Sequence, residues 1–108
     1  MSNSITSISG GAFSNCTSLT LVTIPNSVTS IDYQAFYGCS SLTSVTIPNS
    51  VINIGSNAFY NCTKLNTINY IGTKEQWSEI NKGIDWCNHV SSRCIIHCTD
   101  GNIPISET

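Results

Sequence analysis

Six cysteines and two histidines are the residues of this 108-residue chain with the most obvious chemistry. Cys87, His89, Cys94 and His97 or Cys98 stand close in sequence and carry donors of the kind zinc takes. Structural zinc sites need short C-x-x-C or H-x-x-x-H pairs to close a tetrahedron. The spacing here matches neither pattern, so no metal is assigned. A Cys87–Cys94 bridge would close a short loop, as in many small extracellular domains; bridged and free thiols both remain open. Trp77 and Trp86 are the residue type that stacks on sugars. Trp77 pairs with Ile80 at helical spacing and reads as core, while Trp86 stays open. Catalysis has little to work with. No carboxylate pair recurs at a spacing that would aim two acids at one bond, and no glycine-rich phosphate loop is present. The chain therefore reads as non-enzymatic, and no cofactor is expected.

The other three cysteines carry a different message. Cys16, Cys39 and Cys62 recur every 23 residues, as do Ala12-Phe13, Ala35-Phe36 and Ala58-Phe59. Ile8, Ile31 and Ile54 keep the step, and so do Leu19, Leu42 and Leu65. A period of this length means a solenoid, whose units bury their apolar faces only by stacking. Side chains aligned in parallel coils rarely bridge, so these cysteines are expected to form a ladder of buried, inert thiols. Asn15-Cys16-Thr17 and Asn61-Cys62-Thr63 are formal glycosylation sequons. With the repeat cysteine at their centre, they read first as turn asparagines.

The strands that position these residues follow from alternation. Leu19-Val22-Ile24, Leu42-Val45-Ile47 and Leu65-Ile68-Tyr70 repeat an L-x-x-L-x-L spacing. If Val45 and Ile47 point inward, Ser44 and Thr46 point outward. The outward row of the first strands is then Leu21 and Thr23, Ser44 and Thr46, Thr67 and Asn69, which is the candidate binding face. Pro25 and Pro48 are expected to stop their strands. A second short strand follows in each unit, at Ile5 to Ile8, Val28 to Ile31 and Val51 to Ile54. A helical or 3₁₀ turn then carries the alanine-phenylalanine pair.

The repeat pattern fades after Tyr70, which divides the chain into repeats at 1–70 and a C-terminal cap at 71–108. Thr73 with Gln76 fits a helix-starting capping box, and Gly83 fits a helix stop. Cys94 to Cys98 reads as a strand, and Asp100-Gly101 turns it into a hairpin returning through Asn102 to Ile105. The fold class is thus a mainly β solenoid, a right-handed coil closed by one short helix and a hairpin. The opposite end has no such closure. It begins at Ile5-Thr6-Ser7-Ile8, inside a repeat, as if cut from a longer array, with the apolar Leu19, Val22 and Ile24 open to solvent. Open edges recruit strands, so a homodimer through the N-terminal coil is expected unless Asn3 and Ser4 fold back as a makeshift cover.

Composition narrows the partners. Only 9% of residues are charged, far below the usual quarter or so, and the formal net charge of −2 leaves no basic footprint for nucleic acid. No apolar run approaches the roughly 18–20 residues of a membrane span, so the chain is not expected to be membrane-embedded. Met1 to Ser4 do not open a signal peptide.

The segment Cys39-Ser40-Ser41-Leu42-Thr43-Ser44-Val45-Thr46-Ile47-Pro48-Asn49-Ser50-Val51, with the following Ala58-Phe59, resembles the BspA-like leucine-rich repeat family. The resemblance covers roughly the first two-thirds of the chain, and the tail also looks like those closing bacterial members. It implies an extracellular or cell-surface adhesion module whose partner is a host or microbial surface protein or glycan. A structural spacer, or an accessory module of a larger surface protein, is the alternative.

Overall fold

The computed structural model describes residues 5–108; Asn3 and Ser4, candidates for a makeshift cover, lie outside them. Two parallel sheets face each other across one core. The first contains β1 (Ser7–Ile8), β3 (Ser30–Ile31), β5 (Asn53–Ile54) and β7 (Asn81–Lys82), in that order. The second contains β2 (Leu21–Thr23), β4 (Ser44–Pro48), β6 (Thr67–Ile71), β8 (Ile95–Cys98) and β9 (Gly101–Pro104). All neighbours are parallel except β8 and β9, which form an antiparallel hairpin. Successive strands from β1 to β8 thus alternate between the sheets, one of each per coil, and the chain is the mainly β solenoid that its repeat requires.

Register follows the repeat residue by residue. Val22 pairs with Val45 and Val45 with Ile68, so each inward side chain stacks on its counterpart. The second strands are two residues long, shorter than expected, although their ladders extend past them: the Thr29 N–H donates to the Thr6 carbonyl at 2.8 Å. Pro48 stops its strand, as expected. It is the last residue of β4 and sits in register with Ile71, because a terminal strand position needs no N–H from it.

Between the sheets run the columns that fill the core. Phe13, Phe36 and Phe59 stack with ring centroids 5.3 and 5.2 Å apart and planes within 4°. Such offset stacking adds about 0.5–1.5 kcal/mol per pair beyond burial. The turns holding these rings are hydrogen-bonded turns, not helices: the Ala35 N–H donates to the Asp32 carbonyl and the Ala58 N–H to that of Gly55, each at 3.2 Å. Two positions in these turns take a left-handed backbone. Asn15 and Asn61 occupy one of them with φ of 59° and 62°, which asparagine tolerates better than most residues. That is the turn role read from their sequence.

The coil continues beyond Tyr70. Strands β7 and β8 pair with β5 and β6, extending both sheets by a fourth layer. The step to this layer is 28 residues, from Asn53 to Asn81, against 23 in the layers before it. The difference, 28 − 23 = 5 residues, is taken up by helix α1 (Lys74–Glu79), inserted between β6 and β7. Thr73 and Gln76 form the expected capping box. Gly83 does not end the helix; Ile80 does, in extended conformation. The C-terminal carbonyls are met instead by Lys82, whose Nζ donates to the Trp77 carbonyl at 2.9 Å and lies 4.8 Å from the Trp77 ring centre. Burial holds this ammonium below its ordinary pKa.

Trp86 packs edge-on against Phe59 at 6.3 Å and against Trp77 at 5.7 Å. Both tryptophans are buried, so Trp86 joins Trp77 in the core and neither indole offers a sugar platform. The antiparallel strand β9 covers the edge of β8.

At the opposite end, Val22 and Ile24 are buried rather than open to solvent. Their side chains point inward and are covered by the next coil. The residues left half-buried are Ile5, Phe13, Cys16 and Leu19.

Candidate functional site

The outward side of the second sheet carries two in-register polar rows. Leu21, Ser44 and Thr67 form one, and Thr23, Thr46 and Asn69 the other. All six named positions therefore share one face, held by inward neighbours that are buried: Val22, Val45 and Ile68. Strand alternation makes this unavoidable, because anchoring every second residue in the core aims its neighbours outward. The rows run further than the sequence repeat. Ile95 continues the first row, and His97 the second. The hairpin adds Pro104 beside Ile95 and Asn102 beside His97, with His97 Nδ1 3.2 Å from Asn102 Oδ1. These four were not legible as face residues, because the 23-residue step fails before them.

Leu21 is 66% exposed, an apolar knob at one end of the rows. Among the described residues, the side chains of Thr23, Ser44, Thr46 and Asn69 make no hydrogen bond within the chain, whereas Thr67 donates to Asn66 at 2.9 Å. Neither row contains an Asp, Glu, Lys or Arg side chain. The face is thus a shallow, neutral surface of hydroxyls and amides with satisfied backbone beneath it. It can exchange hydrogen bonds with a polar ligand.

The cysteines do not meet on this face. Cys39 and Cys62 are fully buried, and each thiol donates to a carbonyl of the preceding coil, Cys39 to Phe13 and Cys62 to Phe36, both at 3.1 Å. The adjacent Cys39 sulfur, together with burial, pushes the Cys62 thiol far up. Cys16 departs from the inert ladder: it is half-buried, because no described coil covers its side. Cys87, Cys94 and Cys98 are free thiols, so the loop bridge left open by the sequence is not formed. Burial raises Cys94 to about 11. Among the described residues, no three histidine, cysteine, aspartate or glutamate side chains gather as a metal site.

A cavity of about 160 Å³ opens between the corner after β4 and helix α1, lined by Asn49, Val51, Ile52, Tyr70, Gln76, Glu79 and Ile80. It is too small to enclose more than a few atoms of a ligand.

The model of the BspA type leucine rich repeat region, in 6 copies, matches residues 1–84. The chain belongs to the BspA-type leucine-rich repeat family. This BspA-type module is also similar to a solved leucine rich cell surface protein from Faecalibacterium prausnitzii, with 42% identity, a TM-score of 0.74 and 75% of the present chain covered. The match spans 21% of that protein, so the module aligns with about a fifth of its length. No curated protein sequence matches the chain. Among the described residues, no helix is long and apolar enough to cross a membrane.

Proposed function

We propose that this BspA-type module is a non-catalytic binding or adhesion unit of a cell-surface protein, and that it takes a protein or glycan ligand on the outward face of β2, β4, β6 and β8. One observation carries the reading. Thr23, Ser44, Thr46 and Asn69 present hydroxyl and amide groups that no other side chain among the described residues engages, on neighbouring strands in strict register. Polar groups left free in a regular array suit a ligand that is itself a regular array of hydroxyls or amides, such as a glycan or an extended peptide. The likeness to a leucine rich cell surface protein supports the surface location.

The face is small and flat, so a single module binds weakly, and strength comes from repetition along a longer array. A glycan and protein array probed with the isolated chain identifies the ligand class. Loss of that signal on joint substitution of Thr23, Thr46 and Asn69 tests the face. A spacer without a ligand of its own would give no specific signal on either class.

A further inference from the structure

We propose that the cavity beside helix α1 is a second binding site, and that it takes a primary ammonium on an alkyl stem: the tip of a lysine side chain on a protein partner. The inference is independent of the outward face and uses different residues.

Tyr70 carries the argument. The same inward column holds Ile24 and Ile47 in the coils before it, and Tyr70 lies in register with Ile47. A phenol thus stands where two coils have an aliphatic chain. Its side chain is 2% exposed, with the ring set against Trp77 at 5.3 Å. A Cβ on Gly72 would come within 2.6 Å of that ring, so glycine leaves the phenol its room. A buried tyrosine hydroxyl usually has a partner. Among the described residues, the buried polar side-chain atoms without one are Ser27 Oγ and Trp77 Nε1. The Tyr70 hydroxyl is not sealed in with them and makes no hydrogen bond either, so it opens onto the cavity that its side chain lines.

The rim supplies the charge. Glu79 is exposed on α1 and lines the same cavity. Among the described residues its carboxylate forms no ion pair. Lys82, three residues on, is taken up by the Trp77 and Ile80 carbonyls at 2.9 and 3.4 Å. Burial chiefly, then Cys98 and Glu79, hold the Tyr70 phenol above its ordinary pKa, so the Glu79 carboxylate lies close enough for its field to reach the hydroxyl. Asn49 adds an amide from the corner after β4. Carboxylate, phenol oxygen and amide carbonyl make three acceptors, and an ammonium has three N–H donors.

The rest of the lining selects the stem. Val51 and Ile80 are buried in the floor, and Ile52 stands 58% exposed at the rim. Methylene groups lie along such a surface while their charged head reaches polar atoms. A volume of about 160 Å³ admits a head group and little more, which suits a side-chain tip whose chain stays outside. An amino sugar would set hydroxyls against Ile52. A guanidinium would bring five donors to three acceptors, and calcium would want six to eight oxygens.

The test is a titration of n-butylammonium chloride into the isotope-labelled 108-residue chain, followed by backbone amide NMR shifts. Saturable shifts are expected within residues 49–52 and 70–80, and none with n-butanol or with sodium chloride at equal concentration. A short peptide with one lysine should shift the same amides, and its Nε-acetylated form should not. Glu79→Gln and Tyr70→Phe should each weaken binding about tenfold, the worth of one hydrogen bond to a charged group. No saturable shift, equal shifts with butanol or sodium chloride, glucosamine binding as tightly as butylammonium, no binding of the lysine peptide, or full affinity in either variant would each overturn the proposal. Glu79→Gln, at an exposed position, decides alone if Tyr70→Phe fails to fold.

Discussion

Cys62 donates its thiol hydrogen to the backbone carbonyl of Phe36, one coil earlier, at 3.1 Å. The same bond joins Cys39 to Phe13. A repeat position that reads as a small apolar filler is therefore also a stitch between layers: the sulfur fills the core and adds a second donor to a turn carbonyl that already accepts a backbone N–H, that of Cys39 at Phe36 and that of Cys16 at Phe13.

Thiol reactivity reports this arrangement directly. In the native chain at low concentration, Cys39 and Cys62 should resist a thiol reagent until unfolding, and Cys16 should react. Fast labelling of Cys39 and Cys62 would show the columns to be open.

The aromatic column sets the second expectation. Phe36 is fully buried between two stacked rings, so Phe36→Ala should cost about 3–5 kcal/mol through lost transfer energy and the cavity left behind. Phe13→Ala should cost clearly less, because its ring is covered on one side only. Equal losses in chemical denaturation would contradict the layered core.

Much of this was legible in the sequence, for a physical reason. A parallel stack forces equivalent residues into contact, so a 23-residue spacing is already a contact map: it foretells Val22 on Val45 and Phe13 on Phe36. The capping box at Thr73 and Gln76 was legible because it is local. The fourth coil was not. Its extra residues enter as a helix, its alanine-phenylalanine pair is absent, and Trp86 fills space beside Phe59 from a different sequence signature. Ile95, His97, Asn102 and Pro104 were missed on the outward face for that reason. The exposure of Cys16 was missed because a repeat describes the middle of an array better than its end.

Backbone proximity gives a third prediction. A Cβ on Gly55 would lie 2.8 Å from the Asp32 carbonyl carbon and 2.9 Å from the Tyr33 Cα. Both are backbone atoms of the preceding coil and cannot rotate away. Gly55→Ala should cost about 1–3 kcal/mol by overpacking, seen as a lowered midpoint in thermal unfolding. An unchanged midpoint would mean that the coils are spaced more widely than this.

Alkaline pH should weaken the fold through Cys94. Its thiol is raised from 9.0 to about 11, chiefly by burial. The unfolded chain ionises this group near 9, while the folded chain holds the proton until about 11. The stabilising contribution is therefore complete below pH 9 and is lost as pH rises toward 11. Melting temperature followed across this window should fall less steeply in Cys94→Ala than in the wild-type chain. Parallel curves would show that Cys94 does not resist ionisation.

Binding on the outward face should be nearly indifferent to salt. Its rows contain no Asp, Glu, Lys or Arg side chain, and screening acts on charges. A titration of the array-identified ligand at low and high ionic strength should give the same affinity. A steep fall with salt would place the contact on the scattered lysines instead.

The most direct test of the account is the array experiment with one triple variant. The wild-type chain is probed against glycans and surface proteins beside a chain carrying Thr23→Ala, Thr46→Ala and Asn69→Ala, with matched circular dichroism spectra as the control for folding. The account predicts a weak but specific wild-type signal on one ligand class and its loss in the variant. A signal that survives all three substitutions, or no specific signal from the wild-type chain, would contradict it.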